Sequence, residues 1–310
     1  MKLKETCKYQ RLISLLFLIL SINSFVEATE YLLPSGDKRL IGQLEHHVVQ
    51  KGDYFQEIAE TYNVGFLALL AANPGVDPFL PKLGHNLLIP SQMLLPFIKR
   101  VGIVINLPEL RLYYFLPAEN KVMVFPVGIG REGLETPRTM TYIGKKRQNP
   151  VWRPTKETRA RYFAKHGKEM VREVAPGPDN PFGQYALRLG LSEYLIHGSN
   201  KRFGIGMRAS AGCIRMYDND IKWLFDNVPE KTPVHIIEQP IKMSHEQPGL
   251  KLIEIHQPLT RQGVEPKKVS VPDLVKTFLS GKDKHWPLLL PYFEKPQGVV
   301  IAIKSRGKNK

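Results

Sequence analysis

Between residues 101 and 237 the chain breaks into short β-rich runs, a rhythm that constrains its fold more than any other feature. Residues 101–107 and 111–115 flank a Pro108-Glu109-Leu110 turn and predict a hairpin, and residues 121–127 supply a third strand. Further runs fall at 141–143, 185–189, 194–196 and 234–237. Only 219–228 carries clear helical spacing, with Ile221, Leu224 and Phe225 on one face. Many short strands with proline-rich connections predict a mostly β domain, a sandwich or a partly open barrel.

The first 28 residues have the three parts of an export signal. Lys2, Lys4, Lys8 and Arg11 precede an apolar stretch at 12–20, and Val26-Glu27-Ala28 offers small residues for cleavage. That stretch is shorter than the roughly 20 apolar residues a membrane span needs. The expectation is a soluble mature protein outside the cytoplasm, long enough for one sizeable core plus a small module or two. An apolar fraction of 43% argues against extensive disorder. The net charge is +15, and the stretch 145–172 holds ten Lys or Arg against two Glu. Such a balance favours a polyanionic partner. The compartment and the lack of interleaved stacking aromatics exclude nucleic acid and leave an anionic wall polymer or a membrane surface. Without sustained periodicity, 145–172 reads either as a long functional loop, a steering element or lid, or as a solvated basic face.

Residues 46–90 read as a separate unit. A strand-like run at 46–49 ends in the Lys51-Gly52-Asp53 turn, with Asp53 placed to cap a helix carrying Phe55, Ile58, Ala59 and Tyr62 on one face. A second helix with Phe66, Leu67, Leu69, Leu70 and Ala71 stops at Asn73-Pro74-Gly75, and Leu87-Leu88-Ile89-Pro90 returns as a strand. His46, His47 and His85 match no metal-ligand spacing and read as surface histidines. The Val48-Val49-x-x-Gly52-Asp53 opening, Ile58-Ala59, Asn73-Pro74 and Leu88-Ile89-Pro90 together resemble the LysM family. That resemblance implies binding to N-acetylglucosamine-containing glycans and hence a peptidoglycan anchor. The family usually places Thr or Ser after Gly-Asp, where this chain has Tyr54.

Outside the leader, which holds Cys7, the sole cysteine is Cys213, in the run Ser210-Ala211-Gly212-Cys213-Ile214-Arg215-Met216. An unpaired thiol in an oxidising compartment is either sealed in a core or kept for thiolate chemistry. Three neighbours favour chemistry. His197-Gly198-Ser199 closes the apolar run 194–196, so an imidazole can take the thiol proton and return it to a leaving amine. Gly212 lets the chain turn sharply, and the Gly212 and Cys213 N–H groups are candidate oxyanion donors. Arg215 lies two residues beyond the thiol, within reach of a substrate carboxylate.

His197-Gly198-Ser199-Asn200, Phe203-Gly204-Ile205-Gly206 and Ser210-Ala211-Gly212-Cys213-Ile214-Arg215 resemble the L,D-transpeptidase (YkuD-type) family. The likeness extends upstream through Pro137, Trp152-Arg153-Pro154 and residues 176–181, and covers roughly 99–240. It implies a YkuD-type, β-sandwich-like catalytic domain with Cys213 as nucleophile and His197 as base and acid. Gly198 would orient the imidazole through its carbonyl, and Ser210, Gly212 and Arg215 would line the site. Many family members have histidine where this chain has Ala211, which leaves His197 alone as base. The implied reaction is acyl transfer from tetrapeptide stems in the periplasm of a Gram-negative bacterium, making 3→3 crosslinks or joining an outer-membrane lipoprotein to the wall. A carboxypeptidase or endopeptidase of the same fold, or a LysM anchor with an inactive catalytic fold, are the competing readings. No metal, nucleotide or other cofactor motif is present. The extension 241–310 alternates at 250–258, has helical spacing at 271–279 and closes with a strand at 298–303, which predicts a small α+β subdomain. His245, His256 and His285 are scattered through it and receive no role.

Overall fold

The computed structural model describes residues 29–190, 192–264, 271–279 and 286–304. The leader with Cys7, His285 and the end of the basic tail lie outside the described residues. The chain enters through β1 (Thr29–Leu32) and β2 (Leu40–Ile41). A small module follows: β3 (Glu45–Val48), α1 (Phe55–Thr61), α2 (Phe66–Ala72) and β4 (Asn86–Ile89), with β3 and β4 paired antiparallel. Phe55, Ile58, Ala59, Phe66, Leu69, Leu87 and Ile89 form its core. Asn73 fixes the end of α2 to the sheet: its amide donates to the carbonyls of Leu69 and Leu88, and its oxygen accepts from the Leu88 N–H. The expected Asp53 cap is not formed. Tyr54 holds the cap position without a side-chain bond, because the Asp53 carboxylate instead accepts the Gln50 N–H at 2.7 Å and meets His47 Nε2 at 2.7 Å. His47 is therefore a paired, partly buried group rather than an ordinary surface histidine.

After β5 (Met93–Leu94), which pairs with β2, comes the main domain. It contains β6 (Gly102–Asn106), β7 (Arg111–Leu116), β8 (Lys121–Pro126), β9 (Ile129–Gly130) and β10 (Thr139–Gln148). Then follow α3 (Lys156–His166), β11 (Tyr185–Leu189), β12 (Leu195–His197), β13 (Arg208–Ser210), β14 (Ile214–Arg215), α4 (Asp218–Asn227) and β15 (Pro233–Ile237). Of the two expected arrangements, a sandwich or a partly open barrel, the structure takes the second: one nine-stranded sheet in the order β1-β8-β7-β6-β15-β10-β11-β12-β14. Strand β15 joins the two halves, pairing parallel with β6 and antiparallel with β10. Residues from both ends of this sheet, Met123 and Phe125 at one and Ile196 and Ile214 at the other, share a single core with Ile221 and Leu224 of α4. The sheet thus curls around its own core. Strand alternation separates the faces: Ile103, Ile105, Leu112, Tyr114 and Phe125 enter that core, while Val104, Tyr113, Phe115, Val122 and Val124 pack with Ile41, Met93 and Leu95 on the other side.

A second helix, α3, interrupts the basic stretch that lacked apolar periodicity. Thr155 caps it by accepting the Thr158 N–H, Gly167 ends it at φ 64°, and none of its residues is buried. Its local caps make the helix, and the absence of an apolar face hid it from pattern reading.

The C-terminal part comprises β16 (Ile241–Gln247), β17 (Leu250–Ile255), α5 (Asp273–Phe278), α6 (Trp286–Glu294) and β18 (Val300–Lys304). The three strands form one antiparallel sheet, with Met243, Ile253, Ile255, Val275 and Leu289 at its core. Its junction with the main domain is a buried ionic cluster. Lys242 reaches Glu109 at 2.7 Å and Glu254 at 2.9 Å, Arg111 reaches both carboxylates at 3.2 Å, and His256 meets Glu254 at 2.6 Å. His256, to which the sequence assigned nothing, is thus part of the junction. Glu109, Glu254 and His256 have the donor types of a metal site, but the Lys242 ammonium contacts both carboxylates and supplies the cation there.

Candidate active site

His197 ends β12 and Cys213 immediately precedes β14, which pairs parallel with β12 so that Ile196 faces Ile214 and His197 faces Arg215. Ile196 and Ile214 point into the core. Alternation therefore sends His197, Cys213 and Arg215 to the opposite face, where all three line one cavity of about 880 Å³. Gly212, at φ 105°, makes the turn that brings the thiol to the strand edge, and a Cβ there would press on the Tyr194 ring. Two hydroxyls hold this turn. Ser210 accepts the Gly212 N–H at 3.1 Å and donates to the Cys213 carbonyl at 2.5 Å. Thr136, itself buried, accepts the Gly130 N–H at 2.9 Å and donates to the Gly212 carbonyl at 2.8 Å.

These bonds correct one expectation: the Gly212 N–H is engaged by Ser210 and is not an oxyanion donor. Ser210, Ala211, Cys213, Arg215 and His197 line the cavity, whereas Gly198 and Gly212 support it from behind. The Gly198 carbonyl lies 2.6 Å from His197 Nδ1. A carbonyl only accepts, so Nδ1 carries the proton and Nε2 keeps its lone pair. Phe182 packs edge-on against the imidazole with ring centroids 4.7 Å apart.

Burial lowers the His197 pKa to about 3, with a smaller push from Arg215, outweighing the Gly198 bond. Burial also raises the Cys213 thiol above its ordinary range, against the Leu195 N–H and the Arg215 charge, which lower it. Both shifts favour the neutral forms, a thiol and an imidazole, over a thiolate and an imidazolium. Arg215 is half-buried, its Nε has no hydrogen-bond partner among the described residues, and burial together with the like charge of Arg131 lowers its pKa.

Much of the remaining wall comes from the stretch 145–172, which the sequence offered as a functional loop or lid without showing its helix or which side chains face the cavity. That wall brings in Arg131, Trp152, Phe182 and Tyr194, together with Thr158, Arg161, Tyr162 and Lys165 along one face of α3. The spacing of those four at i, i+3, i+4 and i+7 was the available signal, masked because the residues are mostly polar. Arg131, Arg153, Arg161, Lys165 and Arg215 outnumber Glu157 and Glu193 and make the cavity cationic.

A family model of the L,D-transpeptidase catalytic domain matches residues 100–236, and one of the L,D-transpeptidase C-terminal domain matches 240–303. The probable L,D-transpeptidase YcfS of Escherichia coli K12 is 51% identical over 241 residues, 76% of this chain and 75% of the relative. The probable L,D-transpeptidase ErfK/SrfK of Salmonella typhimurium LT2 is 42% identical over 297 residues, covering 93% and 96%. The chain belongs to the L,D-transpeptidase family. Another member, the probable L,D-transpeptidase YbiS of Escherichia coli K12, is 42% identical over 304 residues, 96% of this chain and 99% of its own. Membership makes the chain an acyl-transferring enzyme. The C-terminal sheet and helices of this L,D-transpeptidase coincide with the family's C-terminal domain rather than with an unrelated appendage.

Proposed function

We propose that this L,D-transpeptidase works through a Cys213 thioester, with His197 as the proton carrier. The observation that carries this reading is the shared face of β12 and β14, where thiol, imidazole and guanidinium open into one cationic cavity. Substrate entry brings the Cys213 proton to His197 Nε2, and the sulfur attacks the carbonyl joining meso-diaminopimelate to the terminal D-alanine of a tetrapeptide stem. The oxyanion takes the Cys213 N–H, which has no acceptor among the described residues. Collapse of the intermediate transfers the His197 proton to the departing D-alanine amine and leaves an S-acyl enzyme. An acceptor amine, from a second stem or from a lysine of an outer-membrane lipoprotein, then gives its proton to His197 and takes the acyl group. Arg215 and Arg131 bind carboxylates of the donor, and α3 covers it.

In this reading the small module is a LysM-type glycan anchor, supported by its strand-helix-helix-strand order. The leader exports the chain to the periplasm. Purified protein incubated with disaccharide-tetrapeptide should release D-alanine and form dimers visible by mass spectrometry. Cys213→Ala should abolish both; persistent D-alanine release from that variant would exclude the thioester route.

A further inference from the structure

The small module does not hang from the catalytic domain on a tether; it is inserted against the chain segment between the two catalytic residues. Gln56 of α1 is 1% exposed, and its amide donates to the Arg202 carbonyl at 3.3 Å and to the Tyr217 hydroxyl at 3.1 Å. Those two partners stand on either side of Cys213 and Arg215 in sequence. The Arg202 guanidinium binds Glu60 of α1, with Nε at 2.7 Å from the carboxylate. The Leu67 N–H donates to the Gly206 carbonyl at 3.2 Å. Gly206, at φ 67°, lies so close to Gly65 and Phe66 that any Cβ would collide with their backbone. Met207 packs against the module's core, and Leu67 touches the cores of both domains.

The other side of the same loop faces Arg215. A Cβ on Gly204 would lie 2.9 Å from an Arg215 guanidinium nitrogen, so the side chain rests directly on the Gly204 backbone. Arg215 Nε has no hydrogen-bond partner among the described residues, so the guanidinium leans on this backbone floor and on its own strand. We propose that Gln56 and Arg202 are positioning residues of the transpeptidase site: by clamping residues 202–207 and Tyr217 to the small module, they aim the Arg215 guanidinium at the donor carboxylate beside Cys213. The module is then a working part of donor recognition as well as an anchor. This rests on the reading of Arg215 as the carboxylate-binding group.

The test compares Cys213 alkylation by anionic iodoacetate and by neutral iodoacetamide, a rate ratio that reads the guanidinium's field at the sulfur without requiring turnover. In the full-length protein, Gln56→Leu and Arg202→Ala should each lower that ratio about fivefold, a typical coupling magnitude. In an Arg215→Ala background the same substitutions should change it less than about twofold, since groups acting through one partner are non-additive. The tetrapeptide KM should rise while kcat stays within about twofold, the signature of lost positioning rather than lost chemistry. An unchanged ratio in folded variants overturns the proposal, as does an equal loss with and without Arg215. Arg202 is exposed, so its variant decides the matter should Gln56→Leu fail to fold. Absence of tetrapeptide turnover in the unsubstituted protein would count against the proposed function, while the alkylation ratios would still judge the clamp.

Discussion

Cys213 and His197 are tuned against ionisation at rest, and this governs how the site responds to pH. A base acts while it is neutral, and burial, which lowers the His197 pKa to about 3, favours the neutral imidazole at neutral pH. The acid limb of alkylation therefore does not carry the ordinary imidazole midpoint near 6.5. The thiol, raised by burial, sets the profile instead: iodoacetamide labelling should climb with pH to a midpoint above the usual thiol value of about 8.5. Arg215 lowers the thiol pKa, so Arg215→Ala should move that midpoint further up. Stopped-flow alkylation across pH checks both, and a midpoint near 6 would indicate a preformed ion pair and defeat this account. Cys213, His197 and Arg215 stood out as candidates because few residue types can do such work, and the structure brings all three to one cavity. Thr136 was not readable: it lies 76 residues from the Gly212 carbonyl it holds.

Among the described elements, α3 is a capped helix with no buried residue. Its base is closed by the antiparallel pair Trp152 and Val174, whose backbones exchange bonds of 3.0 and 2.9 Å, and by Asn180, which donates to three carbonyls of the same neck. In the proposed function, α3 on this hydrogen-bonded neck is the part that covers the donor. Thr155→Ala removes the cap and should cost the helix about 1 kcal/mol. The donor KM should rise several-fold while iodoacetamide labelling of Cys213 stays constant or quickens, and an unaltered KM would remove α3 from donor binding. The β-rich runs of the main domain were legible because alternating large apolar residues leave little choice of structure. Helix α3 escaped pattern reading because it has no apolar face, and only the cap of the helix at Phe55 was misassigned, because Asp53 found His47 and Gln50 instead of the helix end.

Across the whole molecule, buried polar groups join the parts that apolar patterning made separately. Lys242, fully buried, links Glu109 of the main domain to Glu254 of the C-terminal sheet. Lys242→Met would leave two carboxylates in the interior short of a cation, at a cost of about 3–5 kcal/mol. A matching fall in the urea midpoint is expected, with partial recovery when Glu254→Gln is added; a change below about 1 kcal/mol would mean that water enters the junction. The sequence alone determined the strands and cores of each part and the residue types able to carry acyl transfer, because hydrophobic periodicity and side-chain chemistry are local properties. Tertiary structure decided the rest. The curl of one sheet, the Lys242 junction, the polar wall supplied by α3 and the seat of the small module beneath Arg215 all depend on contacts between residues far apart in the chain. A charged or amide side chain reads the same in sequence whether it meets water or its only partner in a closed interior.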